Sequence, residues 1–222
     1  MTNISKKRAQ AKKLKNTSPI PYSLQHQYKI CVSGAAAGDT VEADAELAYE
    51  VGRQIALQGA VLLTGATTGL PQYAAKGNYE CGGIAIGLSP ASTIKEHVNA
   101  YKLPVAYHDV IIYTGFNYTG RNLLLTRTAD AVITIGGRMG SLNEFTVAFE
   151  DKKTLGVLLG SGGIADEIPH LLHTAKKELS SKIIYGTEPK ILVQKVLAAV
   201  HDEYSKNGYF NLREVKRAGG KG

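Results

Sequence analysis

Short apolar runs alternate with segments of helical periodicity along this chain, and this alternation is the feature that most constrains its fold. Runs such as YKICVSG (28–34) and DAVITIGG (130–137) are almost continuously apolar, rather than apolar at every second position. Strands of that kind are covered by other elements on both faces. Helices between the strands favour parallel pairing through right-handed crossovers. The sequence therefore predicts an α/β fold, a Rossmann-like, doubly wound and mostly parallel sheet with helices on both faces.

Charge divides the chain into three regions. The formal net charge is +7 over 222 residues, yet residues 1–17 carry +6 and residues 207–222 carry +3, so the body between them carries −2. We predict a basic, disordered tail over 1–26, one Rossmann-like domain over 27–205 and a basic tail over 206–222. Basic tails can hold nucleic acid loosely through counterion release. Solvated arms are commoner, however, and we do not expect nucleic acid to be the main partner.

Targeting signals and cysteine spacing bear on the location of the protein. No apolar run approaches the roughly 20 residues that a membrane-spanning helix needs, so no membrane partner is expected. The basic N-terminal segment lacks the apolar core of a secretory signal, and we favour a tail over a transit peptide there. Cys31 and Cys81 lack CxxC spacing and are expected to be reduced thiols. These observations predict a cytoplasmic protein.

Proline and leucine positions give the sharpest local predictions within the domain. Pro71 and Pro189 are expected in the first turns of helices, where a missing N–H is tolerated. The segment 110–113 is predicted to lie in a later strand. In the helix that follows, GRNLLLTRTA (120–129), Leu124 and Leu125 are expected to face the core.

Glycine-containing segments follow four of the predicted strands: SGAAAG (33–38), TGATTG (64–69), TGFNYTGR (114–121) and GGRMGSLNE (136–144). In a doubly wound sheet, ligands bind beyond the carboxyl ends of the strands, where the strand order reverses. Glycine lets the backbone approach a ligand closely, and amide groups at a helix start attract an anion. Each segment alone is as compatible with a plain turn as with a ligand loop. The four together predict a phosphate-binding edge.

The pattern of these segments narrows the class of ligand. No GxxxxGK[ST] motif occurs, which argues against a P-loop ATPase. Threonines follow the second strand, where an acidic residue usually holds the ribose of a nicotinamide cofactor. We predict that a phosphate or nucleotide is bound by residues in and beside these segments, namely Ser33, Gly34, Thr64, Gly65, Thr114, Gly115, Asn122, Gly136, Gly137, Arg138, Met139, Gly140 and Ser141.

Two charged residues stand beside these turns, and each has two interpretations. Ser141 could cap a helix, with its hydroxyl and nearby amides facing a phosphate, and Glu144 follows three residues later. The same spacing describes a capping box, in which the glutamate returns to the serine backbone. Arg121 could grip a phosphate or pair with Glu144, or it could lie on the surface. Nearby aromatic residues could stack on a base or serve only packing: Tyr113, Phe116 and Tyr118.

The stretch TGFNYTGRNLLLTRTADAVITIGGRMGSLNEF (114–145) resembles the Lonely Guy (LOG) family, formerly described as lysine decarboxylase-like, within the SLOG group of Rossmann-like proteins. That family has an arginine and, further along the chain, Pro-Gly-Gly-x-Gly-Thr-x-x-Glu. Arg121-Asn122 followed by ADAVITIGG is most similar to the branch that includes molybdenum-cofactor carrier proteins. The resemblance covers about residues 28–200, with SGAAAG and LLTGATTGLP in the places of the first two glycine turns of the family.

The resemblance implies a phosphoribohydrolase, which cleaves the N-glycosidic bond of a nucleoside 5′-monophosphate to give the free base and ribose 5-phosphate. It places the catalytic pair on Arg121 and Glu144, and the phosphate at Gly140 and Ser141. A carboxylate suits this reaction because the transition state resembles an oxocarbenium ion. The resemblance also implies a homodimer, and neither a metal nor another cofactor is expected. The helically spaced Glu167, His170 and His173 are not expected to bind a metal.

The sequence departs from the family motif at five positions. Gly136 replaces the proline, Arg138 the second glycine, Met139 the aromatic residue, Ser141 the threonine and Asn143 the penultimate glutamate. Arg138 adds a second cation, which favours a larger or more anionic ligand. The other changes argue against cytokinin chemistry in particular. A non-catalytic carrier or sensor of a nucleotide or a molybdopterin-type ligand therefore stays open beside the hydrolase.

Overall fold

Seven parallel strands form one sheet in the computed structural model, which describes residues 27–176 and 182–206. In chain order the strands are β1 (Lys29–Gly34), β2 (Val61–Thr64), β3 (Ile84–Ser89), β4 (Val110–Tyr113), β5 (Ala131–Ile135), β6 (Thr154–Leu158) and β7 (Ile183–Gly186). The helices of the described residues are α1 (Asp39–Leu57), α2 (Leu70–Glu80), α3 (Ile94–Asn99), α4 (Asn117–Thr128), α5 (Met139–Glu150), α6 (Gly163–Thr174) and α7 (Pro189–Lys206). The two basic tails lie outside the described residues, apart from Lys206.

The strand order across the sheet is β4-β3-β2-β1-β5-β6-β7. The chain builds outward from β1 to β4 and then crosses back, so that β5 pairs with the free side of β1. In that pairing Ser33 lies opposite Thr134, and Gly34 lies opposite Ile135. The order therefore reverses between β1 and β5, and this switch point is where a ligand crevice is expected. The predicted Rossmann-like fold is confirmed, and the described strands are all parallel.

Each face of the sheet has its own apolar core. On one face, buried residues of β1, β2 and β5 pack against α1, α2 and α7, with Ile55 among the helix residues. On the other face, α4 and α5 supply Leu125 and Phe145, and α6 joins them. Successive residues of a strand point to opposite faces, so Leu62 enters one core and Leu63 the other. This double burial is the reason for the continuously apolar strands.

Helices α1 and α2 are in direct backbone contact, and this contact brings the turns before them together. A Cβ atom at Gly52 would lie only 1.9 Å from the carbonyl oxygen of Ala74, so only glycine permits the approach. At the start of α2, the N–H of Leu70 donates to the carbonyl oxygen of Ala35 at 2.9 Å. The turns after β1 and β2 therefore form one continuous wall beside the switch point.

Three helical predictions need correction. Helix α4 begins at Asn117, a turn before Arg121 and earlier than the predicted start, and α5 begins two residues before Ser141. Leu125 is fully buried as predicted, but Leu124 is 38% exposed. Adjacent residues of an α-helix are about 100° apart around its axis, so the two leucines do not face the same core.

The remaining local predictions are confirmed. Pro71 and Pro189 lie in the first turns of α2 and α7, and the segment 110–113 is strand β4. Across the part of the chain that the structure describes, no helix combines the length and the apolar character needed to cross a membrane.

Candidate functional site

A cavity of about 390 Å³ opens at the switch point between β1 and β5, within the range of volumes found for small-molecule sites. It lies between the turns after β1, β2 and β5, the first turn of α2 and the first two turns of α4 and α5. Its lining residues are Gly34, Ala35, Ala36, Ala37, Gly65, Thr67, Pro71, Tyr118, Arg121, Asn122, Arg138, Met139, Gly140, Ser141 and Glu144.

Two glycines in the left-handed region form the turn between β5 and α5. The φ angle is +52° at Gly136 and +97° at Gly137, and a Cβ on Gly137 would lie 2.6 Å from that of Ser141. The glycine-rich turn after β6 packs behind this one. The Gly136 N–H donates to the hydroxyl of Ser161 at 2.8 Å, and the Ala165 N–H donates to the Gly136 carbonyl at 2.8 Å. The turn that leads into α5 is thus held from behind.

Helices α1, α2 and α5 begin beside the cavity without a side-chain cap. They follow Gly38, Gly69 and Arg138, and none of these residues supplies a side-chain hydrogen bond to the first-turn amides. By contrast, the hydroxyl of Thr93 caps α3 by accepting from the N–H of Glu96 at 3.2 Å. Uncapped first-turn amides next to a cavity attract an anion, because they carry the positive end of the helix dipole. In α2 the Leu70 N–H already donates to Ala35 and Pro71 has no N–H, so the amides left for an anion are those at the starts of α1 and α5.

The capping-box interpretation of Ser141 and Glu144 is wrong. Ser141 is the third residue of α5 rather than its cap, and the Glu144 carboxylate bonds to other elements. Its Oε2 accepts from the hydroxyl of Ser33, and its Oε1 lies 3.4 Å from Nη1 of Arg121. The Asn122 amide, with its nitrogen turned toward Glu144, donates to Oε1 at 2.9 Å. Three side chains from β1 and α4 therefore fix the position of the carboxylate.

The environment of Glu144 sets its proton affinity. Burial raises the pKa of Glu144 above its ordinary value, while the Arg121 guanidinium and the Ser33 hydroxyl oppose that shift. Beneath the site, burial raises the pKa of the Cys31 thiol well above its usual range, and the charge of Glu144 adds to the effect. Cys31 is therefore a neutral thiol rather than a nucleophile. Both Cys31 and Cys81 are free, as the sequence predicts.

Arg121 is buried, so the surface interpretation of this residue is wrong. Its side chain lines the cavity and the residue is 4% exposed, and its Nε–H has no hydrogen-bond partner among the described residues. Gly65 provides the space for the guanidinium, since a Cβ there would lie 1.8 Å from Nη1. A buried cation with an unused donor, next to uncapped helix starts, is suited to bind an oxygen atom of a ligand.

The mouth of the cavity combines apolar side chains with a second cation. Tyr118, Met139 and Pro71 line it together with the alanines after β1, and the Tyr118 ring centre lies 5.9 Å from Cζ of Arg121. Arg138 is exposed and lines the mouth. This arrangement can accommodate a flat apolar group beside a phosphate.

The predicted site residues fall into three groups. Those that line the cavity are Gly34, Gly65, Arg121, Asn122, Arg138, Met139, Gly140, Ser141 and Glu144. Those that support its walls without lining it are Ser33, Gly136 and Gly137. Those that lie outside it are Thr64, Thr114 and Gly115.

Sheet topology explains why Thr114 and Gly115 lie outside the cavity, and a hydrogen bond explains the position of Thr64. Strand β4 is at the sheet edge, separated from β1 by β3 and β2, so the turn after it does not reach the switch point. There the hydroxyl of Thr114 donates to the Ser89 carbonyl at 2.7 Å. The hydroxyl of Thr64, at the end of β2, lies 2.7 Å from Nε2 of His108. The hydroxyls of both threonines are therefore hydrogen-bonded to residues at β3 or between β3 and β4, and not to the cavity.

The sequence did not predict which of the aromatic residues lines the cavity or which residues support its turns. Tyr118 lines the cavity, but Phe116 is 63% exposed and Tyr113 packs edge-on against His97. Ser161 supports the turn after β5 from a distant part of the chain, and no local pattern indicated it. Within residues 27–176 and 182–206, no three histidine, cysteine, aspartate or glutamate side chains come together as a metal site.

Comparison with known proteins extends this description. A sequence model of the SLOG cluster4 family matches residues 27–193. An uncharacterized protein of Archaeoglobus fulgidus is 30% identical over 122 residues, which are 55% of this chain and 75% of that protein.

Solved structures share the fold. The X-ray structure of TM1055, a structural genomics target, has a TM-score of 0.68 and 25% identity, and the match covers 78% of this chain and 99% of that one. The Moco carrier protein from Chlamydomonas reinhardtii has a TM-score of 0.62 and 26% identity, with coverage of 82% and 99%.

Proposed function

The chain belongs to the SLOG cluster4 family, and on that basis we propose that it binds a nucleoside 5′-monophosphate or a related phosphorylated ligand in the switch-point cavity and hydrolyses the N-glycosidic bond. The observation that carries this proposal is the buried pair Arg121–Glu144, placed in a cavity beside the uncapped start of α5. A carboxylate and an anion-binding helix start in one cavity are the two parts that such a reaction needs.

The phosphate is proposed to bind at the start of α5. Gly140 and Ser141 lie in its first turn and line the cavity. A Cβ at Gly140 would meet no atom within 4 Å, so open space lies next to this backbone. The amides there and the Ser141 hydroxyl can donate to phosphate oxygens, and the helix dipole favours the negative charge.

The base and ribose are proposed to extend from this phosphate past Glu144 toward the apolar mouth. The bond between the base nitrogen and the anomeric carbon breaks, and its electron pair leaves with the base. The ionised carboxylate of Glu144 stabilises the positive charge that develops on the sugar. It then accepts a proton from the water that adds to the anomeric carbon, which yields ribose 5-phosphate, and this proton passes to the departing base nitrogen to give the neutral base and the ionised carboxylate again. Arg121 favours the ionised form of Glu144 and offers its unused Nε–H to the sugar or phosphate.

Base release from nucleotides tests this proposal. AMP, GMP, CMP, UMP and IMP are incubated with the wild type and with Glu144→Gln, and free base is measured by chromatography. We expect release by the wild type and a loss of at least about 100-fold in Glu144→Gln, because the substitution removes a charge aimed at the transition state. Equal rates in both proteins, or no release from any nucleotide, would contradict the hydrolase.

A carrier or sensor is the second candidate function. It is favoured by the likeness to the Moco carrier protein and by the number of groups that already bond to Glu144, namely Ser33, Arg121 and Asn122. In this alternative the same cavity holds a nucleotide or a molybdopterin-type ligand without turnover. Titration calorimetry separates the two functions, since a carrier binds ligand with similar affinity in the wild type and Glu144→Gln and releases no base from either.

A homodimer is proposed that pairs through α4 and α5, the helices that carry Arg121 and Glu144. Phe116 before α4, Leu124 in α4 and Met139 at the start of α5 are exposed apolar residues, and they are available for a subunit contact. Light scattering should give twice the chain mass for the wild type, and Leu124→Glu should shift the protein toward the monomer. Leu57→Glu changes a leucine at the end of α1 that is 57% exposed, against 38% for Leu124, and should leave the mass unchanged.

Roles for the basic tails and the cytoplasmic location stay predictions. If the tails held nucleic acid, binding would fall steeply with salt and would vanish when residues 1–20 are deleted. A gel-shift titration at two salt concentrations, with full-length and shortened chains, tests this.

A further inference from the structure

Arg138 differs from the other arginines of the described residues in having no acidic partner. Arg53 pairs with Glu50, Arg127 with Asp151 and Arg121 with Glu144, at 2.6 Å, 3.1 Å and 3.4 Å. No carboxylate among residues 27–176 and 182–206 lies within ion-pair distance of Arg138, although the body of the chain carries a net negative charge. An unpaired guanidinium at the mouth of a ligand cavity is a cation left for the ligand.

The position of Arg138 connects two helix starts. It is the residue before α5, and its Nη1 would lie 3.9 Å from a Cβ on Gly38, the residue before α1. Its guanidinium therefore reaches from one uncapped helix start toward the other across the cavity mouth. The first turn of α1 contains Asp39 and Glu42, which weaken the attraction of that helix start for anions. Anion binding beside α1 thus depends on Arg138.

We propose that Arg138 makes the site selective for ligands with two linked phosphates, such as a nucleoside 5′-diphosphate. This inference rests on the proposed function, because the first phosphate is the one assigned to Gly140 and Ser141 at the start of α5. The second phosphate lies between the Arg138 guanidinium and the turn before α1. A planar guanidinium donates to two phosphate oxygens at once, and that of Arg138 extends from the start of α5, where the first phosphate is assigned, to Gly38 before α1.

Paired titrations test this selectivity. Affinities for AMP and ADP, and for GMP and GDP, are measured by calorimetry with the wild type and Arg138→Gln, and phosphate and pyrophosphate serve as probes without a base. The wild type should bind each diphosphate roughly 10-fold or more tightly than its monophosphate, as expected for one charge-assisted contact. Arg138→Gln should abolish this preference, because it weakens the binding of each diphosphate roughly 10-fold more than that of its monophosphate. Arg127→Gln, which changes an exposed arginine away from the cavity, should keep the wild-type preference.

The outcomes separate this inference from the function on which it rests. If monophosphates and diphosphates bind the wild type equally, or if Arg138→Gln weakens both alike, the selectivity is refuted and the nucleotide site stands. If pyrophosphate binds through Arg138 but no nucleotide binds, the two-phosphate site stands and the proposed function fails. If none of the probes binds the wild type, both are overturned.

Discussion

Gly65→Ala is a small substitution with a large predicted effect, because Gly65 makes room for Arg121. The backbone at Gly65 is not left-handed, so the substitution acts through its added methyl group. That Cβ would lie 1.8 Å from Nη1, 2.6 Å from Cζ and 2.8 Å from Nη2 of Arg121, whereas ordinary contact begins at 3.4 Å. The guanidinium must therefore move by about 1.6 Å. Nη1, the atom displaced most, is also the one that contacts Oε1 of Glu144 at 3.4 Å, so the substitution disturbs the geometry of this ion pair.

Two consequences follow from this displacement. The burial of both side chains makes the loss of contact costly, and we expect the free energy of unfolding to fall by about 1–3 kcal/mol, since a buried charge is left poorly paired. Misplacement of a positioning group by about 1 Å can reduce a rate by about 100-fold. We expect that loss in kcat/KM for base release, or a comparable loss in ligand affinity if the protein is a carrier.

The assay combines urea unfolding with base release and nucleotide titration. Gly186→Ala is the matched control, because its nearest contact would be at 3.4 Å and it lies in β7, away from the cavity. A double-mutant cycle with Arg121→Ala isolates the clash, and Gly65→Ala should cost little in that background. An equal cost with and without the Arg121 side chain, or a wild-type rate in Gly65→Ala, would refute the reasoning.

Three further predictions concern the groups around Glu144 and the turn before α5. The folded-state pKa of Glu144 is raised from its usual 4.5, so the stability contributed by its protonated form is present below pH 4.5 and is lost as the pH rises through the folded-state pKa. Urea titrations should therefore show the wild type losing stability relative to Glu144→Gln as the pH rises through this range. Parallel stability curves for the two proteins would contradict the raised pKa. Ser33→Ala removes a buried donor to Glu144 and should lower the free energy of unfolding by about 1–2 kcal/mol in the same titrations. Ser92→Ala breaks a serine–glutamate hydrogen bond at the surface and should lower it less. Equal losses in the two variants would contradict the role assigned to Ser33. Gly137→Ala should destabilise the protein by about 1–3 kcal/mol and weaken nucleotide binding, since φ is +97° and the new Cβ meets Ser141. Gly160 is also left-handed, at +80°, but has open space around it, so Gly160→Ala should show only the cost of backbone strain and leave binding unchanged. Equal losses of binding in the two variants would contradict a steric role for Gly137.

The sequence predicted those parts of the fold that depend on local pattern. Continuous apolar runs located the strands because each strand is buried on both faces, and Pro71 marked a helix start because its ring suits a first turn. The local pattern did not predict positions that depend on which face of a helix meets the sheet. Leu124 and Leu125 are chemically the same residue, and only the direction of α4 relative to the sheet decides that Leu125 is buried.

The residues of the candidate site were predictable in outline, but the hydrogen bonds and packing contacts between them were not. Glycine turns and the family resemblance brought Arg121, Glu144 and Ser141 to one edge. The bond from Ser33 to Glu144 joins residues 111 apart in the chain, and the space that Gly65 leaves for Arg121 joins two different elements. Ser141 has the chemistry of a helix cap, and the local sequence therefore predicts that α5 starts there. The helix starts instead at Met139, because the turn before it is positioned by the hydrogen bond between Gly136 and Ser161, residues far apart in the chain.

The most direct test of the central claim is a nucleotide titration of the wild type beside Ser141→Asp. A carboxylate at the third residue of α5 is compatible with a helix start, but it would occupy and repel the proposed phosphate position. The account predicts saturable binding of at least one nucleotide by the wild type and loss of that binding in a folded Ser141→Asp protein. Equal binding by both proteins, or none by the wild type, would contradict a phosphate site at the start of α5.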